Sequence, residues 1–401
     1  MLGLVLTAGG ARGAYQAGVL KRLGEARALR NRPSPFAVIA GASAGAINGT
    51  MVAATSADFT AGTRHLAKLW ADLTPGQVFR SDLMSLGLGG ANLVRDLSLG
   101  GLIGGGHVRS LLDARPLRAL LAQHMPMTGI GEAIRAGHLY AIGLSATSYH
   151  SGKSFTFIQG RKGHPMWLKS RRVALAVELA HEHVCASAAI PIVFAPVRVN
   201  SPEVGECWFG DGGMRLVTPF SPAIRLGARR IFAVGIRCQS SADALSRAEL
   251  RGEEEGLAGR ESIAEPPLAQ ICGVFLNAIF LDHLDTDLDH LVRMNELIAA
   301  GHHSNGNGRK RRAATSEPMR RIEPFVLNPS ADLAIVAAAF AHKMPRAVRY
   351  VMDGLGTPNA QSADLMSYLL FDSSYTRALI DIGYQDASAR VDELEAFLLA
   401  A

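Results

Sequence analysis

Two rhythms of apolar positions alternate along the first third of this chain. Leu2 to Leu6 is a short apolar run of strand length, and it gives way to Thr7-Ala8-Gly9-Gly10-Ala11-Arg12-Gly13. From Ala14 to Ala28 the spacing turns helical, with Ala17, Leu20 and Leu23 on one face. Phe36 to Ala40 is again strand-like, a small-residue turn follows, and a helix is predicted from Ala44 to Ala54. Strand, glycine-rich turn, helix, strand, turn, helix is the order of βαβ units, and it predicts a mainly parallel sheet.

Helical spacing returns at Leu66–Leu73 and at Val108–Gln123. Between them, Leu83–Gly106 is apolar, glycine-rich and without period; residues 83–106 are expected to form a mobile loop, a candidate lid or lipid-contacting gate, with an irregular core-covering loop as the alternative. Leu139–Ser148 and Ser154–Ile158 read as paired strands, Arg172–Ala186 as a helix, and Ala195–Val199 and Glu206–Phe209 as strands around Gly210-Asp211-Gly212-Gly213. Pro219–Leu226 is predicted helical, Arg230–Ile236 a buried strand, and Pro266–Ala300 a long helix. A polar, basic loop spans His302–Thr315, Arg320–Leu327 is a late strand, and helices are predicted at 332–342, 345–354, 362–371, 374–383 and 386–400. The whole reads as a three-layer α/β/α fold with a mainly parallel central sheet and C-terminal helical elaboration.

Composition adds limits. Of 401 residues, 48% are hydrophobic and 19% charged, enough apolar material for a sizeable core. The net charge of +6 suits phospholipid headgroups and nucleic acid equally well, but much of it sits in Arg309-Lys310-Arg311-Arg312 and Arg320-Arg321 and says little about the whole surface; no nucleic-acid partner is expected. Cys185, Cys207, Cys238 and Cys272 are far apart and form no CxxC pair, which argues against a disulfide framework or a zinc cluster. The N-terminus has no signal-peptide pattern and no apolar run reaches spanning length, so a cytoplasmic protein with peripheral membrane contact is expected.

The candidate chemistry begins at Gly41-Ala42-Ser43-Ala44-Gly45, a G-x-S-x-G between a strand and a helix. Its glycines allow a turn tight enough to hold a serine hydroxyl at the positive end of a helix; the plain alternative is a small-residue packing turn. The turn containing Gly9, Gly10, Ala11 and Arg12 can aim amide N–H groups at a negative oxygen. A dinucleotide-binding turn is the rival there, but position 8 is Ala and no acidic residue follows at the required distance. Asp211, between glycines, is either a turn former or a carboxylate that the fold carries to the serine. His181, His183, His283 and His290 are candidates for a Ser–His–Asp triad, although no spacing ties them to Ser43. His181 and His183 in a helix face apart, and Asp282, Asp285 and Asp289 form a solvated stripe, so no metal is expected.

The GGxR-G turn, the G-x-S-x-G about thirty residues later and the distant Asp-Gly-Gly together resemble the patatin-like phospholipase family. The resemblance extends to Ala14-Tyr15-Gln16-Ala17-Gly18-Val19-Leu20, to Ala186-Ser187-Ala188-Ala189-Ile190-Pro191, and to Phe194 and Pro196, and covers roughly residues 2–238. It implies Ser43 as nucleophile and Asp211 as its partner in a Ser–Asp dyad. It also implies Gly9, Gly10, Ala11 and Arg12 at the oxyanion hole, Gly41, Ala42, Ala44 and Gly45 as the elbow, and no cofactor. This family usually opens the first turn with three glycines, where this chain has Ala8. The implied reaction is hydrolysis of fatty-acyl esters of glycerophospholipids through an acyl-serine. The rivals are a soluble carboxylesterase or acyltransferase with the same dyad, and a catalytically silent lipid-binding module. The implied organisation is an acyl hydrolase domain over 1–300, a basic polar loop over 301–318, and a strand and helices over 319–401 packed on the same domain.

Overall fold

The computed structural model describes residues 1–80, 110, 112–238, 271, 283–304, 320–345, 348–349 and 363–400. The expected lid 83–106, the cluster Arg309–Arg312 and most of the expected helix 345–354 lie outside the described residues. The described strands are β1 (Leu2–Leu6), β2 (Val38–Ala42), β3 (Ala141–Ser148), β4 (Ser154–Gly160), β5 (Arg172–Ala176), β6 (Val197–Ser201), β7 (Gly205–Gly210), β8 (Arg230–Val234) and β9 (Glu323–Leu327). They join one sheet in the order β5-β4-β3-β2-β1-β8-β9, with β7 paired to the end of β3 and β6 to β7.

The pairs β1/β2, β1/β8, β2/β3, β4/β5 and β8/β9 are parallel; β3/β4, β3/β7 and β6/β7 are antiparallel. Side chains alternate across the central strands with period two. Leu4, Leu6, Ile39, Phe232 and Val234 join the core on one face, and Val5, Val38, Ala40, Ile231 and Ala233 the core on the other. The first face is covered by α1 (Gly13–Gly24), α2 (Ala44–Ala54) and α3 (Phe59–Ala71), with the helix Ser373–Ala389 packed on α1. The second is covered by the helix Ser221–Arg225 and by Leu284, Leu288 and Leu291 of the helix His283–Ser304. Both faces are buried, which is why these strands read as near-continuous apolar runs. Among the described residues, no helix is long and apolar enough to cross a membrane.

Several predicted elements need correction. Arg172–Ala186 is not one helix: Arg172–Ala176 is strand β5, and the helix runs over His181–Ser187. Val173 and Leu175 enter one core and Ala174 the other, so the segment has the two-residue period of a strand, and β4 supplies its pairing partner. The Ala/Leu propensity for helix is overridden by that edge. α3 begins before Leu66, because the Asp58 side chain accepts from the Ala61 N–H at 2.9 Å and caps a helix starting at Phe59. The helix expected to stop at Ala300 continues to Ser304, and the last two helices divide at Arg390 rather than near 384.

Candidate active site

Parallel pairing of β1 with β2, down to Leu6 opposite Gly41, sends both glycine-rich turns out of the same edge of the sheet. The second is tight: a Cβ on Gly45 would lie 2.1 Å from the Leu6 carbonyl oxygen, so no larger residue fits. Ser43 at its apex has φ 55° and ψ −125°. Such backbone costs roughly 1–3 kcal/mol in a residue with a Cβ and persists only where the surroundings hold it. Here the Ser43 N–H donates to Ser187 Oγ at 3.0 Å, and the Ser187 hydroxyl donates onward to the Ser145 carbonyl at 2.5 Å. The Ala46 N–H closes the first turn of α2 on the Ser43 carbonyl at 2.9 Å.

Asp211 arrives from a distant part of the chain. Antiparallel pairing of β7 with the end of β3, Gly210 opposite Thr147, delivers it beside the elbow. Its backbone is fixed at both ends: the Thr147 hydroxyl donates to its carbonyl at 2.8 Å, and its N–H donates to the Ala189 carbonyl at 2.9 Å. Asp211 Oδ1 accepts from the Gly213 N–H at 2.8 Å, and Oδ2 accepts from the Ser43 hydroxyl at 2.6 Å. The side chain is fully buried, and burial pushes its pKa up to about 7 although both hydrogen bonds favour the carboxylate. Phe209 packs edge-on against Phe155 and Phe157 beneath it, whereas Trp208 lines an outer groove.

The hydroxyl–carboxylate bond is direct, with no imidazole between. His183 Nδ1 accepts from the Ala180 N–H at 3.0 Å, and the His181 ring lies 3.3 Å from the Met125 carbonyl. His283 and His290 belong to the helix on the other face of the sheet. Among the described residues, no three His, Cys, Asp or Glu side chains are grouped to hold a metal ion.

The first turn lies against the same spot. Gly10 has φ +53°, and a Cβ there would sit 2.4 Å from the Tyr368 carbonyl oxygen, so the position requires glycine on both counts. Gly9 is extended at φ 178°, and Ala8 is not among the positive-φ residues, so alanine is tolerated where a third glycine was expected. Gly10 and Ala11 open a 3-10 turn, whose leading amides have no intrahelical acceptor. Arg12 is held on both its backbone and its side chain. Its N–H donates to the Gly9 carbonyl at 3.0 Å, and its buried guanidinium donates to Ser367 Oγ at 2.7 Å and Asp364 Oδ1 at 2.8 Å. It also stacks 4.6 Å from the Tyr368 ring centroid. Arg12 therefore clamps the helix Ala363–Leu369 onto the first turn.

A buried network locks the two turns together. The Asn48 amide of α2 donates to the Gly13 carbonyl at 2.9 Å and to Gln16 Oε1 at 3.0 Å, and accepts from Trp70 Nε1 at 2.8 Å. Gln16 in turn donates to the Thr7 carbonyl at 3.0 Å. The sequence did not distinguish Asn48, Gln16, Thr147 or Ser187 as support for the site. Gln16 and Ser187 lie in the Ala14–Leu20 and Ala186–Pro191 motifs, but nothing in their neighbours reveals their partners.

Two apolar recesses meet at Gly10 and Ser43. One is walled by residues that include Leu69, Trp70, Leu73, Leu117, Leu121 and Phe371, the other by Ile190, Val193, Leu365, Tyr368 and Leu369. Leu117, Ala188 and Phe194 are shared between the first recess and a groove of about 960 Å³. A hydroxyl bonded to a buried carboxylate of raised basicity, beside a glycine-rich turn and apolar walls, is suited to nucleophilic attack on an acyl carbon.

The family model for patatin-like phospholipase matches residues 4–224, more than half of the chain. No curated protein sequence matches significantly. Similar solved structures include VipD from Legionella pneumophila, 13% identical with a TM-score of 0.28, covering 94% of this chain and 66% of that one. Another is human GIVD cytosolic phospholipase A2 in complex with methyl gamma-linolenyl fluorophosphonate, 14% identical with a TM-score of 0.40, covering 99% of this chain and 59% of that one. The chain thus spans less than two thirds of the length of either.

Proposed function

The chain belongs to the patatin-like phospholipase family, and on that premise we propose that it hydrolyses fatty-acyl esters of glycerophospholipids through an acyl-Ser43 intermediate, with Asp211 as the only proton carrier. The observation that carries this reading is the 2.6 Å bond from Ser43 Oγ to a fully buried Asp211, at the meeting point of apolar recesses.

In the first step Ser43 Oγ attacks the ester carbonyl carbon and its proton passes to Asp211 Oδ2. A carboxylate of ordinary basicity is a poor base for a hydroxyl; burial brings Asp211 to about 7, near neutral pH. The tetrahedral oxyanion is received by the Gly10 and Ala11 amides and by the N-terminus of α2. Asp211 then gives its proton to the departing alcohol, leaving acyl-Ser43. Water, deprotonated by the same carboxylate, attacks that ester, and the proton returns to Ser43 Oγ as the fatty acid departs. No step calls for a metal.

The test is product release. Purified protein with phospholipid vesicles should liberate free fatty acid and lysophospholipid in equal amounts, and Ser43→Ala should lower the rate roughly a thousandfold or more. A protein equally active on short, monomeric soluble esters but silent on vesicles would be the soluble esterase instead. Vesicle binding without hydrolysis would identify a lipid-binding module.

A further inference from the structure

The helix Arg115–His124 has two differently used faces. Leu117, Leu120 and Leu121 line the apolar recess that holds Ser43, whereas Arg115 and Arg118, one turn apart, line the outer groove. The two spaces are neighbours, sharing Leu117, Ala188 and Phe194 as a common wall. A ligand lying across that wall passes from hydrocarbon surroundings to cationic ones, the polarity profile of a phospholipid monomer.

The charges of the groove are not interchangeable. Asp113 is bonded to Arg115 at 2.5 Å and lies 3.8 Å from Arg80; Glu206 takes Arg198 at 3.2 Å. Arg118 is exposed and, among the described residues, has no carboxylate within ion-pair distance. A guanidinium not already matched to a carboxylate can take a phosphate in its planar fork without first breaking a salt bridge. Among the described residues of the groove, Glu182 is the carboxylate outside these pairs, and it penalises a dianionic phosphate more than a singly charged diester.

We propose that the groove is the headgroup subsite of this enzyme, with Arg118 contacting the phosphodiester of the lipid whose acyl chain occupies the recess over Ser43. This rests on the acyl-hydrolase reading above and adds to it the residue that recognises the substrate's phosphate. Arg118 is a specificity determinant here, since it touches the substrate but none of the reacting atoms.

The experiment compares phosphatidylglycerol with diacylglycerol of identical acyl chains, both in neutral detergent mixed micelles, and reads the ratio of kcat/KM values. The intact protein should favour the phospholipid, and Arg118→Gln should reduce the ratio about tenfold, mainly through KM. Arg118→Lys, which keeps charge without the fork, should fall between, and Arg64→Gln on the exposed face of α3 should leave the ratio where it was. Labelling of Ser43 by a fluorophosphonate is measured on the same samples. Labelled protein whose ratio does not respond to Arg118→Gln overturns the headgroup subsite and leaves the acyl-hydrolase reading standing; a preference for the neutral lipid overturns the subsite and the glycerophospholipid substrate together. Protein that neither labels nor hydrolyses either lipid overturns both.

Discussion

Asp211 carries the largest electrostatic cost at the site. Its carboxyl has a folded pKa near 7 against an ordinary value of 3.8. The stability tied to it is complete below the ordinary value and is lost as pH rises through the folded one, because only the fold penalises the charge. The offset corresponds to something on the order of 4 kcal/mol by the top of that window. Asp211→Asn removes the charge, and its amide oxygen can still accept the Gly213 N–H. Thermal melts should therefore place this variant above the native protein at pH 8, with the advantage shrinking toward pH 4; a variant less stable at pH 8 would refute the burial argument. Ser187 acts one shell further out. Ser187→Ala leaves the Ser43 N–H without its acceptor and the strained φ of 55° without its tether. Steady-state kinetics should show kcat falling roughly 10- to 100-fold with KM little changed, and Ser187→Thr, which keeps the hydroxyl, should recover part of the loss. The elbow could be read from the sequence because backbone geometry restricts it to few residue types, whereas only the family resemblance pointed from Ser43 to Asp211. Ser187, Thr147 and Asn48 could not, because a buried hydroxyl or amide is identified only by what the fold sets opposite it.

At the scale of elements, the Thr7–Gly13 turn is held between two structures built by distant sequence. α2 supports it through Asn48, and the helix Ala363–Leu369 supports it through Asp364, Ser367 and the Tyr368 carbonyl packed on Gly10. Asp364 is the partner of a guanidinium that is itself almost wholly enclosed. Asp364→Ala should cost roughly 1–3 kcal/mol in urea unfolding and should lower kcat as well, since the turn that aims the Gly10 and Ala11 amides loses its clamp. Unchanged kcat would mean that the turn holds its shape alone. The Arg12 side chain finds its partners more than 350 positions away, where no local spacing points to them. Arg172–Ala176 was misread as helix: five residues of mixed helix and strand propensity were decided by an open edge at β4, which local spacing does not contain.

Over the whole molecule, the family match ends at residue 224, yet the architecture does not. β8 and β9 extend the sheet, the helix Ser373–Ala389 packs on α1, and Leu365, Tyr368 and Leu369 wall one of the recesses at Ser43. The layered, mainly parallel fold was legible because both faces of the central strands are buried and each turn opens a helix. The 168-residue interval between Ser43 and Asp211 was legible only through resemblance, because it is closed by the β3/β7 pairing, a contact with no local signature. The central claim is that this carboxylate alone activates that hydroxyl. It is tested most directly by the pH dependence of Ser43 labelling with a fluorophosphonate, followed by mass spectrometry. The account predicts a labelling rate that rises with pH to a plateau through an apparent pKa of about 7, and that falls at least a hundredfold in Asp211→Asn. A rate flat across that range, or one undiminished in the asparagine variant, would contradict it.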